Sequence, residues 1–212
     1  VVVLTGNDRF KKSEYSESLK VYEFAVIFGF STDSHDLLGL TQEVAGQQLE
    51  TEAIYQLLSN ELPKFVGTQK QTQPAFSAQR VGGSSAFELA KKGKIFTQKV
   101  NDIEIHSIII EKKSEISLEA FEKNLIEKIN LVTGDFRQAE ILAQWRKTIA
   151  ELEENSVVSL PIFTLKATVS KRTYIRAITR DLAHRIGIPA TTFSIIRTQN
   201  AGFGREECQD LL

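Results

Sequence analysis

Hydrophobic residues recur with a period of two in some segments of this chain and with a helical period in others. The two kinds follow one another irregularly, without a repeating strand–helix unit, and that order points to the α+β class. Residues 20–30, KVYEFAVIFGF, alternate loosely at Val21, Tyr22, Phe24, Val26 and Phe28 and are rich in β-formers, which predicts a strand. STDSHDLLG follows, dense in Ser, Thr and Asp and closed by Gly39, and reads as a turn or loop. Leu49, Ala53, Ile54, Leu57 and Leu58 give 48–62 a helical pattern that Pro63 should end. Residues 67–83 hold few large apolar side chains and many Gln, Thr, Ser and Gly, so a long loop is expected there. A short helix capped by Ser84 or Ser85 and stopped by Gly93 comes next.

The second half continues the pattern. Residues 103–110, IEIHSIII, predict a strand. Leu118, Phe121, Leu125 and Ile129 define one amphipathic helix, and Ile141, Leu142, Trp145, Ile149 and Leu152 a second. Residues 157–169 alternate as a strand, 172–186 suit a helix ended by Gly187 and Pro189, and 192–198 predict a last short strand.

With 212 residues, 42% of them apolar and 25% charged, the chain can bury a real core, which excludes a disulfide-stapled miniprotein or a disordered tail. Its longest apolar stretch, residues 24–30, is seven long, against the roughly 20 that a membrane helix needs. No span is therefore expected. The single Cys208 cannot form an internal disulfide and fits a reducing compartment. His35, His106 and His184 stand far apart, so no zinc spacing exists. Methionine is absent, the chain opens on Val1, Val2, Val3 and Leu4 without signal-peptide features, and it stops at Leu211 and Leu212. It reads as a fragment.

Net charge is −1, but residues 166–205 carry Lys166, Lys171, Arg172, Arg176, Arg180, Arg185, Arg197 and Arg205 against the single acid Asp181. That stretch is +7 and the remainder −8. One reading is a face for a polyanion; the other is a solvated helix with paired surface charges. VGGSS at 81–85 and GFGR at 202–205 lack the strand and helix context of phosphate loops and read as turns, and no Ser sits in a GxSxG elbow.

Three blocks go further. KVYEFAVIFGFSTDSHDLLG (20–39) is similar to K-x-Y…LG…TDT-x-D-x-x-G, and QPAFSAQRVGGSSAFELAKKG (73–93) to P-x-[FY]-SA-x-K-x-x-G…[YF]-E-x-A-R-x-G. ATVSKRTYIRAITRDLAHRIGIPATTFSIIRTQNAGF (167–203) is similar to CSKGTYIRSLA-x-DLG…LG…L-R-T-x-x-G-x-F. In this order, over nearly the whole chain, they resemble the TruB-type tRNA pseudouridine synthases, which isomerise uridine-55 in the T-loop of tRNA. Arg80 replaces the lysine of the second block, Asn101 a downstream arginine, and Arg172 the glycine of the third.

The resemblance implies a pseudouridine synthase fold with a mixed, largely antiparallel sheet flanked by helices. It implies a catalytic domain over 1–205 that lacks its N-terminal part, with 40–79 as a tRNA-clasping insertion and 206–212 starting a C-terminal segment. The family's catalytic aspartate lies in a G-x-L-D-P-x-A-x-G loop before the first block. Residues 1–6 resemble the strand after that loop, so the aspartate is expected upstream of residue 1. Arg176 is then the partner of that carboxylate, a role that suits a permanently charged, forked guanidinium. By the same resemblance Tyr22 is expected to stack on the target base and take part in removing its C5 proton, and Ile196 to pack against the uracil.

Asp33 and Asp36 suggest an acid/base couple, but hydrogen bonds to backbone amides are the preferred reading, with Asp36 also bracing the site. Lys171, Arg172 and Arg197 are expected at the substrate. The partner implied is the T-arm of tRNA, with no membrane and no obligate protein partner, in the cytoplasm. No metal or organic cofactor is expected, because the reaction has no redox or hydrolytic step. Two alternatives stand beside this: an RNA-folding helper that binds tRNA without modifying it, and the dyskerin-like branch that works in guide-RNA complexes. Short loops and the lack of basic tails count against the last.

Overall fold

The computed structural model describes residues 3–207; Val1, Val2, Cys208 and the 208–212 end of the expected C-terminal segment lie outside the described residues. In chain order the elements are α1 (Lys12–Glu17), β1 (Lys20–Phe28), β2 (Phe30–Thr32), β3 (Thr41–Val44), α2 (Thr51–Glu61), β4 (Gly67–Thr72), β5 (Arg80–Val81), β6 (Ser84–Ser85) and α3 (Ala86–Lys91). Then come β7 (Val100–Ser117), α4 (Leu118–Asn130), α5 (Gln138–Glu154), β8 (Ser159–Val169), α6 (Ile175–Ile186), β9 (Ala190–Asn200) and β10 (Phe203–Gly204). Among the described residues no helix is long and apolar enough to cross a membrane.

The fold is α+β. Its main sheet runs β10-β9-β1-β8-β7-β4 with antiparallel neighbours throughout, and one parallel bridge, Asp36 to Thr192, lies outside the named strands. β1 is central and covered on both faces, which explains its loose alternation. Phe24, Val26 and Phe28 pack with Ile54 and Leu58 of α2 and Ile175, Ile178 and Leu182 of α6. Ala25 and Ile27 pack with Phe121 and Leu125 of α4 and Ile141 and Trp145 of α5 on the other face.

The strand expected over 20–30 breaks at Gly29, whose φ of +124° lets β2 turn off the sheet. A Cβ there would lie 2.7 Å from Leu160 Cδ2, so the glycine is needed twice over.

One expectation is corrected outright. Residues 67–72 form β4, an edge strand paired with β7, instead of the start of a loop. An edge strand needs only its backbone on one side, so a polar sequence suffices, and Gln71 alone of its side chains is buried. Residues 40–79 therefore supply a sheet edge and, through Ile54 and Leu58, part of the core. β7 and β9 also run longer than the segments predicted for them.

Candidate active site and nucleic-acid interface

Residues 171–174 turn the chain from β8 into α6. Arg172, which stands where the similar motif has glycine, takes a left-handed backbone with φ +64°, a conformation that costs a residue with a side chain roughly 1 kcal/mol. Neighbours hold the turn: Asn101 Nδ2 donates to the Arg172 carbonyl at 3.2 Å. Buried Gln71 accepts from the Tyr174 N–H at 2.8 Å and donates to the Tyr174 carbonyl at 3.2 Å.

The second residue of α6 is Arg176. Its Nη1 donates to Asp36 Oδ2 and to the Ser34 carbonyl, each at 2.8 Å, and its Nη2 donates to the Phe76 carbonyl at 2.8 Å. Asp36 Oδ1 accepts from Ser34 Oγ at 2.6 Å and the Leu38 N–H at 3.0 Å. Asp33 Oδ1 accepts from the Leu40 N–H at 2.8 Å. Both aspartates thus bind backbone amides, and each also holds an arginine, since Arg137 Nη1 and Nη2 both lie 3.1 Å from Asp33 Oδ2. The turn is tight enough that a Cβ on Gly39 would collide with Ser34 Oγ and stand 2.6 Å from Asp33 Oδ1.

His35, at φ +60° within this turn, is pushed down to about 4 by burial and then by the Arg180 and Arg176 cations. It stays neutral near pH 7 and adds no charge beside Arg176.

Arg176 and Asp36 line a cleft of about 240 Å³ with Ser34, Leu38, Arg137, Phe76, Phe87 and Phe136. The three phenylalanines meet edge-on, at centroid separations of 5.8 Å for Phe76–Phe87 and 5.3 Å for Phe87–Phe136. Sequence reasoning assigned none of Phe76, Phe87, Phe136, Arg137 and Gln71 to the site. Phe76 and Phe87 lie inside the second motif, but nothing in the sequence marks Phe136, Arg137 or Gln71.

A second cleft, of about 380 Å³, gathers Tyr22, Lys171, Arg172 and Arg197 with Lys12, Lys20 and Thr173 among its walls. Burial, and next the Arg197 guanidinium, push Lys20 below the ordinary lysine value, with the Glu17 carboxylate opposing them only in part. Glu17 pairs with Lys171 at the rim. The two clefts flank the entry to α6, Thr173 lining one and Arg176 the other.

The basic 166–205 stretch accordingly splits. Lys171, Arg172 and Arg197 converge, whereas Lys166, Arg176 and Arg180 pair with Glu111, Asp36 and Asp181. Ile196 is not brought beside Tyr22. The β1–β9 register sets Tyr22 opposite Arg197 and Ile196 opposite Glu23, so strand alternation sends Ile196 to the other face. The apolar residue of β9 on Tyr22's face is Ile195, opposite Phe24. Among the described residues no three His, Cys, Asp or Glu side chains gather as metal ligands.

A family model described as TruB family pseudouridylate synthase (N terminal domain) matches residues 1–124. The chain belongs to the TruB family. Curated relatives include proteins named tRNA pseudouridine synthase B from Bacillus pumilus, 25% identical over 91% of this chain and 49% of that protein, and from Bacteroides fragilis, 26% identical over 99% and 70%. The TruB-family chain thus spans about half the length of the Bacillus pumilus relative. Among solved structures, a chain of a Cbf5-Nop10-Gar1 complex overlays on 91% of this chain and 33% of its own, at 12% identity and a TM-score of 0.44.

Proposed function

We propose that this chain carries the RNA-holding and arginine-bearing part of a tRNA pseudouridine synthase acting on the T-loop uridine, uridine-55. The observation that carries the reading is the pair of clefts about the start of α6. One offers cations and an aromatic ring, the other a guanidinium braced by Asp36.

In this reading the T-arm phosphates lie against Lys12, Lys20, Lys171, Arg172 and Arg197, and their contacts offset the few kcal/mol needed to flip a base out of its stack. The base rests on Tyr22. Arg176 uses three of its five N–H donors on this chain, which leaves two for the carboxylate of an aspartate contributed from upstream of residue 1. That carboxylate assists as the bond from N1 to the sugar breaks, the base turns, and C5 bonds to the same sugar carbon. The C5 proton leaves with Tyr22 as acceptor and N1 gains a proton, so the change is an isomerisation that consumes no co-reactant.

Within 40–79, taken in this reading as the segment that clasps the T-arm, the polar edge strand β4 is the candidate contact. The remaining assignments follow from the same reading: 1–205 as the catalytic domain, tRNA as partner without an obligate protein, and a cytoplasmic setting. A tRNA-binding module without catalysis is the second reading, since the cation-lined cleft would hold RNA phosphates whether or not a nucleophile is present.

Two measurements test this. A T-arm RNA hairpin should bind this chain with a logarithmic salt slope of about −2 to −4, the release expected from three to five phosphate contacts; no binding at low salt sinks both readings. Tritium release from tRNA labelled at uridine C5 should be absent with this chain alone. Turnover beyond one equivalent would show that the nucleophile lies among these 212 residues.

A further inference from the structure

The helical hairpin α4–α5 stands between β7 and β8, and its covering role on the sheet accounts only for its apolar stripe. The polar groups of α5, among them the indole N–H of the core residue Trp145, have a different target. Arg137, the residue at the N-cap position of α5, grips Asp33 with both terminal nitrogens at 3.1 Å. Trp145 Nε1 donates to the Leu37 carbonyl at 3.2 Å. Gln144 Nε2 donates to Thr41 Oγ1 at 3.1 Å, and the Thr148 and Thr41 hydroxyls share a hydrogen bond of 2.6 Å. These positions recur at intervals of seven to eight and three to four residues, so they form one stripe along the helix. Every member of the stripe ends on the segment 33–41, which holds Asp36 and, through it, Arg176.

Arg137 makes a further connection. Its guanidinium lies over the Phe76 ring, 4.7 Å from the centroid, while the Phe76 carbonyl accepts from Arg176. Of the three acceptors that fix Arg176, two, Ser34 O and Asp36 Oδ2, belong to the turn held by Asp33, and the third belongs to the residue on which Arg137 rests. The Arg137–Asp33 pair is also the better shielded of the two, with side-chain exposures of 13% and 20% against 21% and 26% for Arg176–Asp36. Arg137 takes this place at φ +64°, a strained backbone for a residue with a Cβ. The loop before it is fastened separately, by the Lys91–Asp135 ion pair and the Phe136–Phe87 contact. Phe136, Arg137 and the whole of α5 lie beyond residue 124, where the family match ends.

We propose that α5 is a brace for the catalytic arginine and that Arg137 is its principal positioning residue. It acts through Asp33 and Phe76 to fix the direction in which Arg176 presents its two remaining donors. The proposal deepens the pseudouridine synthase reading and rests on it for the word catalytic, but the mechanical coupling is testable without turnover.

The experiment reads the Arg176 side chain directly, by nitrogen-15 NMR of its Nη1–H2 group, whose donors go to the Ser34 carbonyl and Asp36 Oδ2, assigned through the loss of its resonance in Arg176→Lys. In the unaltered chain that group should be rigid and slow to exchange with water. In Arg137→Met its exchange should quicken by roughly tenfold, the change that follows from a 1.4 kcal/mol loss of protection. In Arg137→Lys, which keeps a charge but not the fork, the effect should be smaller. The Nε–H of Arg180, which donates to Asp181 Oδ1 at 2.8 Å while Nη2 donates to the Thr72 carbonyl, serves as the control and should not change.

An Arg176 signal indifferent to both substitutions overturns the brace. So does equal quickening at Arg180, which would report general loosening. If Arg137→Met fails to fold, Arg137→Lys and Asp33→Asn carry the same comparison. A brace that behaves as expected in a chain that binds no T-arm hairpin would leave the coupling standing and remove the pseudouridine synthase reading alone.

Discussion

Replacing Asp36 by asparagine removes one charge and turns the Oδ2 acceptor that faces Arg176 into an amide N–H donor. The Asn oxygen can still accept from Ser34 Oγ and the Leu38 N–H, so the turn keeps its shape, but Arg176 loses its counter-charge at 2.8 Å. Charge centres about 4 Å apart interact by about 4 kcal/mol at an effective dielectric of 20. Both side chains retain a fifth to a quarter of their exposure, and solvent screening together with the two carbonyl acceptors left to Arg176 lowers the expected loss to about 1–2 kcal/mol. Urea unfolding followed by Trp145 fluorescence measures it. The midpoint should fall by about 0.4–1 M with no change in slope, given a slope of about 2–3 kcal/mol/M. A double-mutant cycle with Arg176→Met isolates the pair, and its coupling energy should exceed about 1 kcal/mol. A coupling below about 0.3 kcal/mol would refute the view that Asp36 holds Arg176 by charge, and would leave the two carbonyls as what positions it.

Gly29→Ala should cost about 2–4 kcal/mol in thermal or urea unfolding, because it combines a φ of +124° with a Cβ 2.7 Å from Leu160; a loss under about 0.5 kcal/mol would mean that the backbone relaxes freely there. Arg172→Gly should stabilise the chain by about 0.5–1 kcal/mol by relieving its left-handed backbone. The same change should make the salt slope of T-arm binding shallower by about one phosphate's worth, and a destabilised variant would show that the arginine side chain holds the turn. For His35 the folded value of about 4 lies below the unfolded 6.5, so as pH falls through that window the unfolded chain takes up a proton that the folded chain refuses. Stability should therefore drop by about 2–3 kcal/mol from above pH 6.5 to pH 4. His35→Asn, which tolerates φ +60°, should flatten that part of the profile, and an unchanged difference between unfolding midpoints at pH 7 and pH 4.5 would count against the shift.

Hydrophobic period made most elements legible, since it records which side of an element meets the core. β1, α4, α5, β8 and α6 lie close to where alternation and helical spacing put them, and the caps at Ser85 and Gly187 are visible as residue types. β4 was not legible. An edge strand is held by backbone bonds that any side chain permits, and a run of Gln, Thr and Lys looks like a loop. The same limit hides Gln71, whose buried amide grips Tyr174.

By itself the sequence determined the α+β class, the family motifs and the candidates Tyr22 and Arg176, because local spacing and residue type are written along the chain. Only the tertiary structure decided that Asp33 and Asp36 each take an arginine, that Lys12 and Lys20 join Lys171, Arg172 and Arg197, and that Ile196 faces away from Tyr22. It alone set Arg137 on Asp33, 104 positions away in the chain. Such contacts depend on strand register and on how helices dock against the sheet, and both are fixed by the packing of the whole core.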